Sequence, residues 1–114
     1  MAEKMQKYEL MMALKPLLPD DVRKTIHKNV ISTVTEMGGE LVDTDVWGKR
    51  YLAYKIKGHN EGYYILYVLN MKPEDVAELK RQLSLKQEIL RFMVVKVEHK
   101  DEKNLAIKKK EIEV

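Results

Sequence analysis

The chain has no cysteine, only three prolines and five glycines among 114 residues, and no long uninterrupted apolar run. The absence of cysteine excludes disulfides and thiolate metal sites, and it is compatible with a reducing compartment. Every apolar run is shorter than the roughly 18 residues that a membrane-spanning helix needs, and the first residues lack the apolar core of a signal peptide. These absences predict a cytoplasmic protein with no membrane partner.

Residue patterns for catalysis and metal binding are also scarce. The histidines, His27, His59 and His99, are far apart in the predicted fold, so no pair has the spacing of zinc ligands, and each is interpreted as an ordinary surface residue. Neither serine lies in a nucleophile-elbow sequence, and there is no phosphate-binding glycine loop or dinucleotide fingerprint. Asp43 and Asp45 lie close together, but nothing around them predicts the dry site of a catalytic pair. The sequence therefore predicts no enzyme, no cofactor, no metal and no small-molecule substrate.

The charges are distributed unevenly. The formal net charge is +3, and 34% of the residues are charged. Basic and acidic residues cancel over residues 98–114, so residues 1–97 hold the whole surplus. Within that body an acidic stretch, 36–45, precedes a basic one, 49–57, and such segregation can steer a phosphate-bearing partner to one end of the molecule. We predict one folded domain over residues 1–97 and a charged, disordered tail over 98–114.

The stretch from residue 47 to residue 71 predicts a hairpin of two antiparallel strands, 47–57 and 63–71, joined by the loop 58–62. Glu40 to Asp45 is interpreted as the start of this second strand of the fold, and the Trp47-Gly48 pair is typical of a bulge within or beside it. Five of the six tyrosines lie here, and the first arm carries four cations and no acid: Lys49, Arg50, Lys55 and Lys57. A basic, tyrosine-rich hairpin suits contact with phosphates and bases. A sheet with core aromatics and solvated lysines explains the pattern equally well, so both interpretations stay open.

The rest of the chain completes a repeating order of elements. Alternation predicts a first strand over 7–15, and an apolar stripe predicts a helix that begins with Asp20 as its N-cap and ends at Gly38-Gly39. A second helix over 73–84 and a fourth strand over 88–97 follow. The order strand, helix, strand, strand, helix, strand predicts an α+β, ferredoxin-like βαββαβ sandwich, with a four-stranded antiparallel sheet and both helices on one face. Right-handed crossovers predict that the first and third strands lie in the centre of the sheet and the second and fourth at its edges.

With both helices on one side, the other side of the sheet is either packed by the protein itself or is a contact surface for another molecule, and we expect it to be open. Alternation places on this open face a set of apolar residues that we expect to be exposed: Met11, Ala13, Tyr64, Leu66, Val68, Met93 and Val95. An apolar patch of that size on a small domain indicates a binding site.

Five side chains are candidates for contact with RNA or a partner protein: Lys49, Arg50, Tyr54, Arg91 and Lys96. The arginine fork matches phosphate oxygens, and tyrosine can stack or donate a hydrogen bond. For Tyr54 the alternative is packing in the core. For Arg91 the alternative is an ion pair with Glu9 across the sheet. The tail lysines 108–110 are interpreted as a solvated run, with contact with RNA as the alternative.

Four separated motifs carry a resemblance to a known family. They are Tyr8-Glu9-Leu10, then Trp47-Gly48-Lys49-Arg50 followed by Leu52-Ala53-Tyr54, then Glu61-Gly62-Tyr63-Tyr64, and finally Arg91-Phe92-Met93-Val94-Val95-Lys96. Together and in this order the chain resembles the bacterial small-subunit ribosomal protein six family over about residues 5–97. One departure is Tyr51, which stands where the family usually has a second basic residue.

The resemblance implies a ferredoxin-like domain without catalytic activity. It also implies a structural component of the small ribosomal subunit that binds the central domain of the small-subunit ribosomal RNA together with small-subunit ribosomal protein eighteen during assembly. Two rival functions stay open. One is a free-standing RNA-binding module whose open face stacks bases, and the other is a regulatory or enzymatic domain that dimerises through that face and binds a metabolite.

Overall fold

The computed structural model describes residues 5–97, so the predicted tail, 98–114, lies outside the described residues. Its elements in chain order are β1 (Gln6–Leu14), α1 (Asp20–Glu36), β2 (Glu40–Ile56), β3 (His59–Met71), a 3-10 turn (Pro73–Asp75), α2 (Val76–Ser84) and β4 (Ile89–Lys96). All strand pairs are antiparallel, and the strand order is β2-β3-β1-β4. The predicted βαββαβ order, with the first and third strands in the centre, is confirmed.

Both helices pack on the same face of the sheet. Ile26, Val30 and Val34 of α1 are buried in one cluster with Leu79 and Leu83 of α2. The sheet contributes alternate residues from its two central strands to the same cluster: Tyr8, Leu10, Met12, Leu14, Ile65, Tyr67, Leu69 and Met71. Each fully buried large apolar side chain stabilises the fold by about 1.5–3 kcal/mol. The helices therefore cover one face of the sheet and do not contribute to the cluster of buried residues on its second face.

The start of α1 differs from the prediction. Asp20 is the first helical residue, the N-cap position is taken by Pro19, and no side chain caps the helix. The carboxylate of Asp20 instead accepts a hydrogen bond from Arg23. The same guanidinium donates to the Leu18 carbonyl at 2.6 Å and lies 4.5 Å from the centroid of the Tyr63 ring. Arg23 thus offers Asp20 a charged partner, and the acid still lies at the helix end that favours negative charge.

His27 is not the ordinary surface residue that the sequence predicts. Its Nδ1 atom lies 2.9 Å from the hydroxyl of Tyr67, and the two rings stack with centroids 5.5 Å apart. Tyr67 is fully buried, and burial raises the pKa of its phenol. Because a buried hydroxyl without a hydrogen-bond partner is costly, His27 has a structural role as the partner of Tyr67.

The turn of the hairpin is tighter than predicted. The expected loop 58–62 is wrong, because Ile56 already pairs with His59 and only Lys57 and Gly58 lie between the strands. Both turn residues have positive φ angles, 50° for Lys57 and 82° for Gly58. Two left-handed residues in a two-residue connection make a type I′ turn, which matches the twist of the strands. Residues 59–62 therefore belong to β3.

This turn makes a prediction about stability. Lys57 is the only non-glycine residue with a positive φ among residues 5–97, and type I′ turns favour asparagine at its position. We expect Lys57→Asn to raise the free energy of unfolding by about 0.5–1 kcal/mol, measured by chemical denaturation, because asparagine adopts the left-handed region more readily. Lys55→Asn removes the same charge without a positive φ and serves as the control. Equal stability of the two variants would contradict the turn assignment.

Candidate functional site

The hairpin of β2 and β3 extends beyond the rest of the sheet. The last pair between β1 and β3 is Leu14 with Tyr63, whereas β2 and β3 continue to the turn at Lys57-Gly58. Residues 50–62 therefore form a two-stranded segment that pairs with neither β1 nor β4, here called the ribbon. The ribbon contains Arg50, Lys55 and Lys57 and only one acid, Glu61. It brings a concentration of positive charge to one end of the molecule.

A bulge in β2 lies directly before the ribbon. The register with β3 shifts between Val46 and Gly48, so Trp47 is the extra residue, and Gly48 has the positive φ of 78° that such a bulge accommodates. The Trp47 ring is buried and stacks on the Tyr64 ring with centroids 6.4 Å apart and planes 17° apart. Its Nε1–H donates to an Asp45 carboxylate oxygen at 2.8 Å. The predicted bulge is present, and it folds tryptophan over the face opposite the helices.

A second irregularity lies within the ribbon. Tyr51 pairs with Glu61 and Ile56 pairs with His59, so residues 52–55 of β2 face a single residue of β3. This excess of residues lets the strand bow out of the regular ladder. Leu52 packs against the buried cluster beneath Trp47, whereas the Tyr54 side chain remains 67% exposed. The bowed segment therefore forms one wall above the sheet.

The side chains at these two irregularities cover much of the face that was expected to be open. Met11, Ala13, Tyr64 and Leu66 do lie on the face opposite the helices, but they are buried together with Trp47 and Leu52. The expectation that these four are exposed is wrong, because the protein's own hairpin packs on them. Val68 and Val95 are half-buried, and Met93 is 45% exposed. The accessible part of this face is a groove, not a broad patch.

The groove, here called the open-face groove, has a volume of about 220 Å³. Its walls include side chains from three strands and the bowed segment: Met11, Leu52, Tyr54, Tyr64, Arg91 and Met93. Burial raises the pKa of the Tyr64 phenol, the positive charge of Arg91 opposes this shift, and Tyr54 adds to it. Such mutual influence requires the three polar groups to be neighbours. The groove thus combines an apolar floor with two tyrosines and a guanidinium.

The structure brings together only some of the predicted site residues. Tyr54 and Arg91 line the same groove. Lys49 and Arg50 follow each other in β2 but lie on opposite faces, because Lys49 pairs with Tyr63 on the helix side and Arg50 pairs with Gly62 on the groove side. The Arg50 guanidinium donates to the Lys49 carbonyl at 2.9 Å, and Lys49 is exposed.

The remaining candidate lies elsewhere. Lys96 is exposed near the other end of β4, five residues from Arg91, and this separation is roughly 17 Å along a strand. Arg91 pairs in register with Ala13, while Glu9 pairs with Val95. The alternative of a direct cross-strand pair between Arg91 and Glu9 is therefore wrong, because the residue opposite Arg91 lies four positions along β1 from Glu9.

Sequence reasoning missed the roles of Trp47 and Leu52 as the cover of the second face. The available signal was the excess of apolar residues in a segment whose alternation is interrupted by glycine, since such residues need a surface to pack on.

Within residues 5–97 no group of histidines and acids is arranged to hold a metal ion. Across the same residues, no helix has both the length and the apolar character that a membrane span requires.

Comparison with known proteins identifies the family. Residues 7–96 match the sequence profile described as Ribosomal protein S6. The small ribosomal subunit protein bS6 of Dictyoglomus turgidum is 35% identical over 97 residues, which cover 85% of this chain and 100% of the relative. The bS6 protein of Caldanaerobacter subterraneus subsp. tengcongensis is 36% identical over 94 residues, covering 82% of this chain and 99% of the relative.

Solved structures agree with these relatives. The crystal structure of 30S ribosomal protein S6 from Thermotoga maritima matches with a TM-score of 0.78 at 26% identity, covering 95% of each chain. The C-terminal domain of the MgtC protein from Mycobacterium tuberculosis matches with a TM-score of 0.59 at 15% identity over 87% of this chain and 95% of that domain, and this likeness shows the shared fold alone. Because the profile match spans every strand and both helices, the chain belongs to the Ribosomal protein S6 family of small-subunit ribosomal proteins.

Proposed function

We propose that this protein binds the central domain of the small-subunit ribosomal RNA together with small-subunit ribosomal protein eighteen, and that it aids assembly of the subunit in the cytoplasm without catalysing a reaction. The observation that carries the proposal is the ribbon, a basic, tyrosine-bearing hairpin that continues past the last residue pair between β1 and β3. The family membership supports the ribosomal setting.

The distribution of charge favours RNA at the ribbon end. Lys49, Lys55 and Lys57 are exposed, and Arg50 is half-exposed. Glu61 is the only acid from residue 46 to residue 62. Exposed lysines and arginines bind phosphates and release counterions, which is the main source of affinity for a nucleic acid backbone. The ribbon is therefore the proposed RNA-contacting element.

The number of cations also argues for a partner protein. The three basic side chains of the ribbon and Lys49 at its base neutralise few phosphates, so the chain alone gains little affinity from counterion release. A basic partner that docks beside the ribbon would join two weak RNA-binding surfaces, and the second contact would then form at a high effective concentration. The open-face groove offers the partner or the RNA an apolar recess beside Arg91.

The five candidate side chains divide into separate contacts in this proposal. Lys49 and Arg50 lie at the base of the ribbon on its two sides, and Tyr54 and Arg91 flank the open-face groove. Lys96 belongs to a second contact at the far end of β4. Single alanine substitutions at Arg50 and Lys96 should then weaken different contacts with the RNA. Hydroxyl-radical footprinting should show that each substitution removes protection from a different set of nucleotides.

A titration tests the proposal. A fragment of the ribosomal RNA central domain is titrated with this chain alone, with protein eighteen alone, and with both proteins. We expect weak binding by this chain alone and a large gain in affinity when both proteins are present. Equally tight binding by the chain alone would favour a free-standing RNA-binding module and refute the need for a partner. Size-exclusion chromatography of the isolated chain tests the other rival, since a stable homodimer would support dimerisation through the open face.

A further inference from the structure

We infer that the open-face groove receives a single unpaired nucleobase of the bound RNA, stacked against Tyr54 and contacted by Arg91. This inference rests on the proposed RNA binding and specifies which part of the RNA enters the groove. The groove has a volume of about 220 Å³, which is within reach of a planar ring system that enters from the solvent side.

The lining of the groove suits a base. Met11, Leu52 and Met93 provide an apolar lining, and the Tyr54 ring has most of its surface free for contact. Unpaired bases are recognised by stacking on aromatic rings or guanidinium planes and by hydrogen bonds to their edges. Arg91 supplies a fork of donors, and the Tyr64 hydroxyl stays protonated at neutral pH, so both can donate to the oxygen or nitrogen acceptors of a base.

The position of the groove favours RNA over a protein side chain. Lys55 lies between two groove-lining residues, Tyr54 and Ile56, and Lys57 follows directly. A base in the groove would leave its own phosphates beside these exposed lysines. An apolar side chain of a partner would use the floor but would leave Arg91 and the lysines without anionic partners. Charge complementarity therefore selects a nucleotide.

Two tyrosines of β2 provide a matched experiment. Tyr54 and Tyr51 are 67% and 70% exposed, but only Tyr54 lines the groove. Each is replaced by leucine, and Tyr54→Phe keeps the ring without the hydroxyl. The affinity for the central-domain RNA fragment is measured in the presence of protein eighteen at several salt concentrations, and circular dichroism checks that each variant is folded. Neither tyrosine is buried, so we expect all three variants to fold.

We expect Tyr54→Leu to weaken RNA binding about tenfold, whereas Tyr54→Phe and Tyr51→Leu bind within about twofold of the wild type. The slope of log K against log salt should stay unchanged in Tyr54→Leu, because no phosphate contact is lost. Equal affinities of Tyr54→Leu and Tyr51→Leu would overturn the inference. The inference would also be overturned if Tyr54→Leu weakened the binding of protein eighteen in the absence of RNA. That result would identify a protein side chain as the occupant of the groove. If the wild-type pair of proteins does not bind the fragment, the proposed function itself fails.

Discussion

Replacing Trp47 by alanine is expected to lower the free energy of unfolding by about 3–5 kcal/mol, the range measured for removing a large buried aromatic side chain. The substitution removes the stack on Tyr64 and the hydrogen bond from Nε1 to Asp45, and it leaves a cavity over the second face of the sheet. Because Trp47 is the only tryptophan, unfolding should be followed by far-ultraviolet circular dichroism in urea instead of by fluorescence.

Two variants show whether this loss comes from packing on the second face. Tyr51→Ala removes an exposed aromatic ring from the same strand and should cost less than about 0.5 kcal/mol. Trp47→Phe keeps a ring on Tyr64 but loses the donor to Asp45, and its stability should fall between those of the wild type and Trp47→Ala. If Trp47→Ala were as stable as Tyr51→Ala, the hairpin would not pack on the sheet as described.

Removing three lysines at the ribbon should have the largest effect on RNA binding. The variant Lys49→Ala, Lys55→Ala, Lys57→Ala is expected to lower the salt slope of RNA binding by about 0.7–0.9 for each lost phosphate contact. At about 0.1 M salt, the loss of three such contacts corresponds to a fall in affinity on the order of 100-fold. The affinity of the chain and protein eighteen for the RNA fragment is measured across a salt series.

A second triple variant distinguishes the effect of where the lysines lie from the effect of the lost net charge. Lys24, Lys28 and Lys80 are exposed lysines of the helical layer, and replacing them by alanine removes the same charge. This second variant should keep a salt slope close to that of the wild type. If the two triple variants lose affinity equally, the protein binds through its general positive charge and the ribbon has no special role.

The order of the elements is predictable because each element carries its own hydrophobic period. In β1 the alternate residues Leu10 and Met12 face the helices, and in α1 Ile26, Val30 and Val34 recur once per turn. These patterns, with glycine and proline between them, are sufficient for the ferredoxin-like order. Right-handed connections then fix the central position of β1 and β3. Both the element order and the strand order appear in the structure.

The candidate site is less predictable because it forms where alternation is interrupted. The face on which a side chain lies follows from its position in a strand only while the strand stays regular, and the bulges at Trp47 and at 52–55 break that rule. The sequence therefore predicts a bulge at Trp47-Gly48 but not that tryptophan covers Tyr64. The contact between His27 and Tyr67 likewise cannot be predicted from local sequence patterns, because the two residues are 40 positions apart in the chain.

The most direct test of the account is the reactivity of individual lysines in the assembled small subunit. The chain is treated with an acylating reagent, free and within the subunit, and each lysine is quantified by mass spectrometry. We expect Lys49, Lys55 and Lys57 to become protected in the subunit, while Lys24 and Lys80 of the helical layer stay reactive. Protection of Lys24 and Lys80 with unchanged reactivity at Lys55 and Lys57 would place the RNA on the helical side and contradict the account.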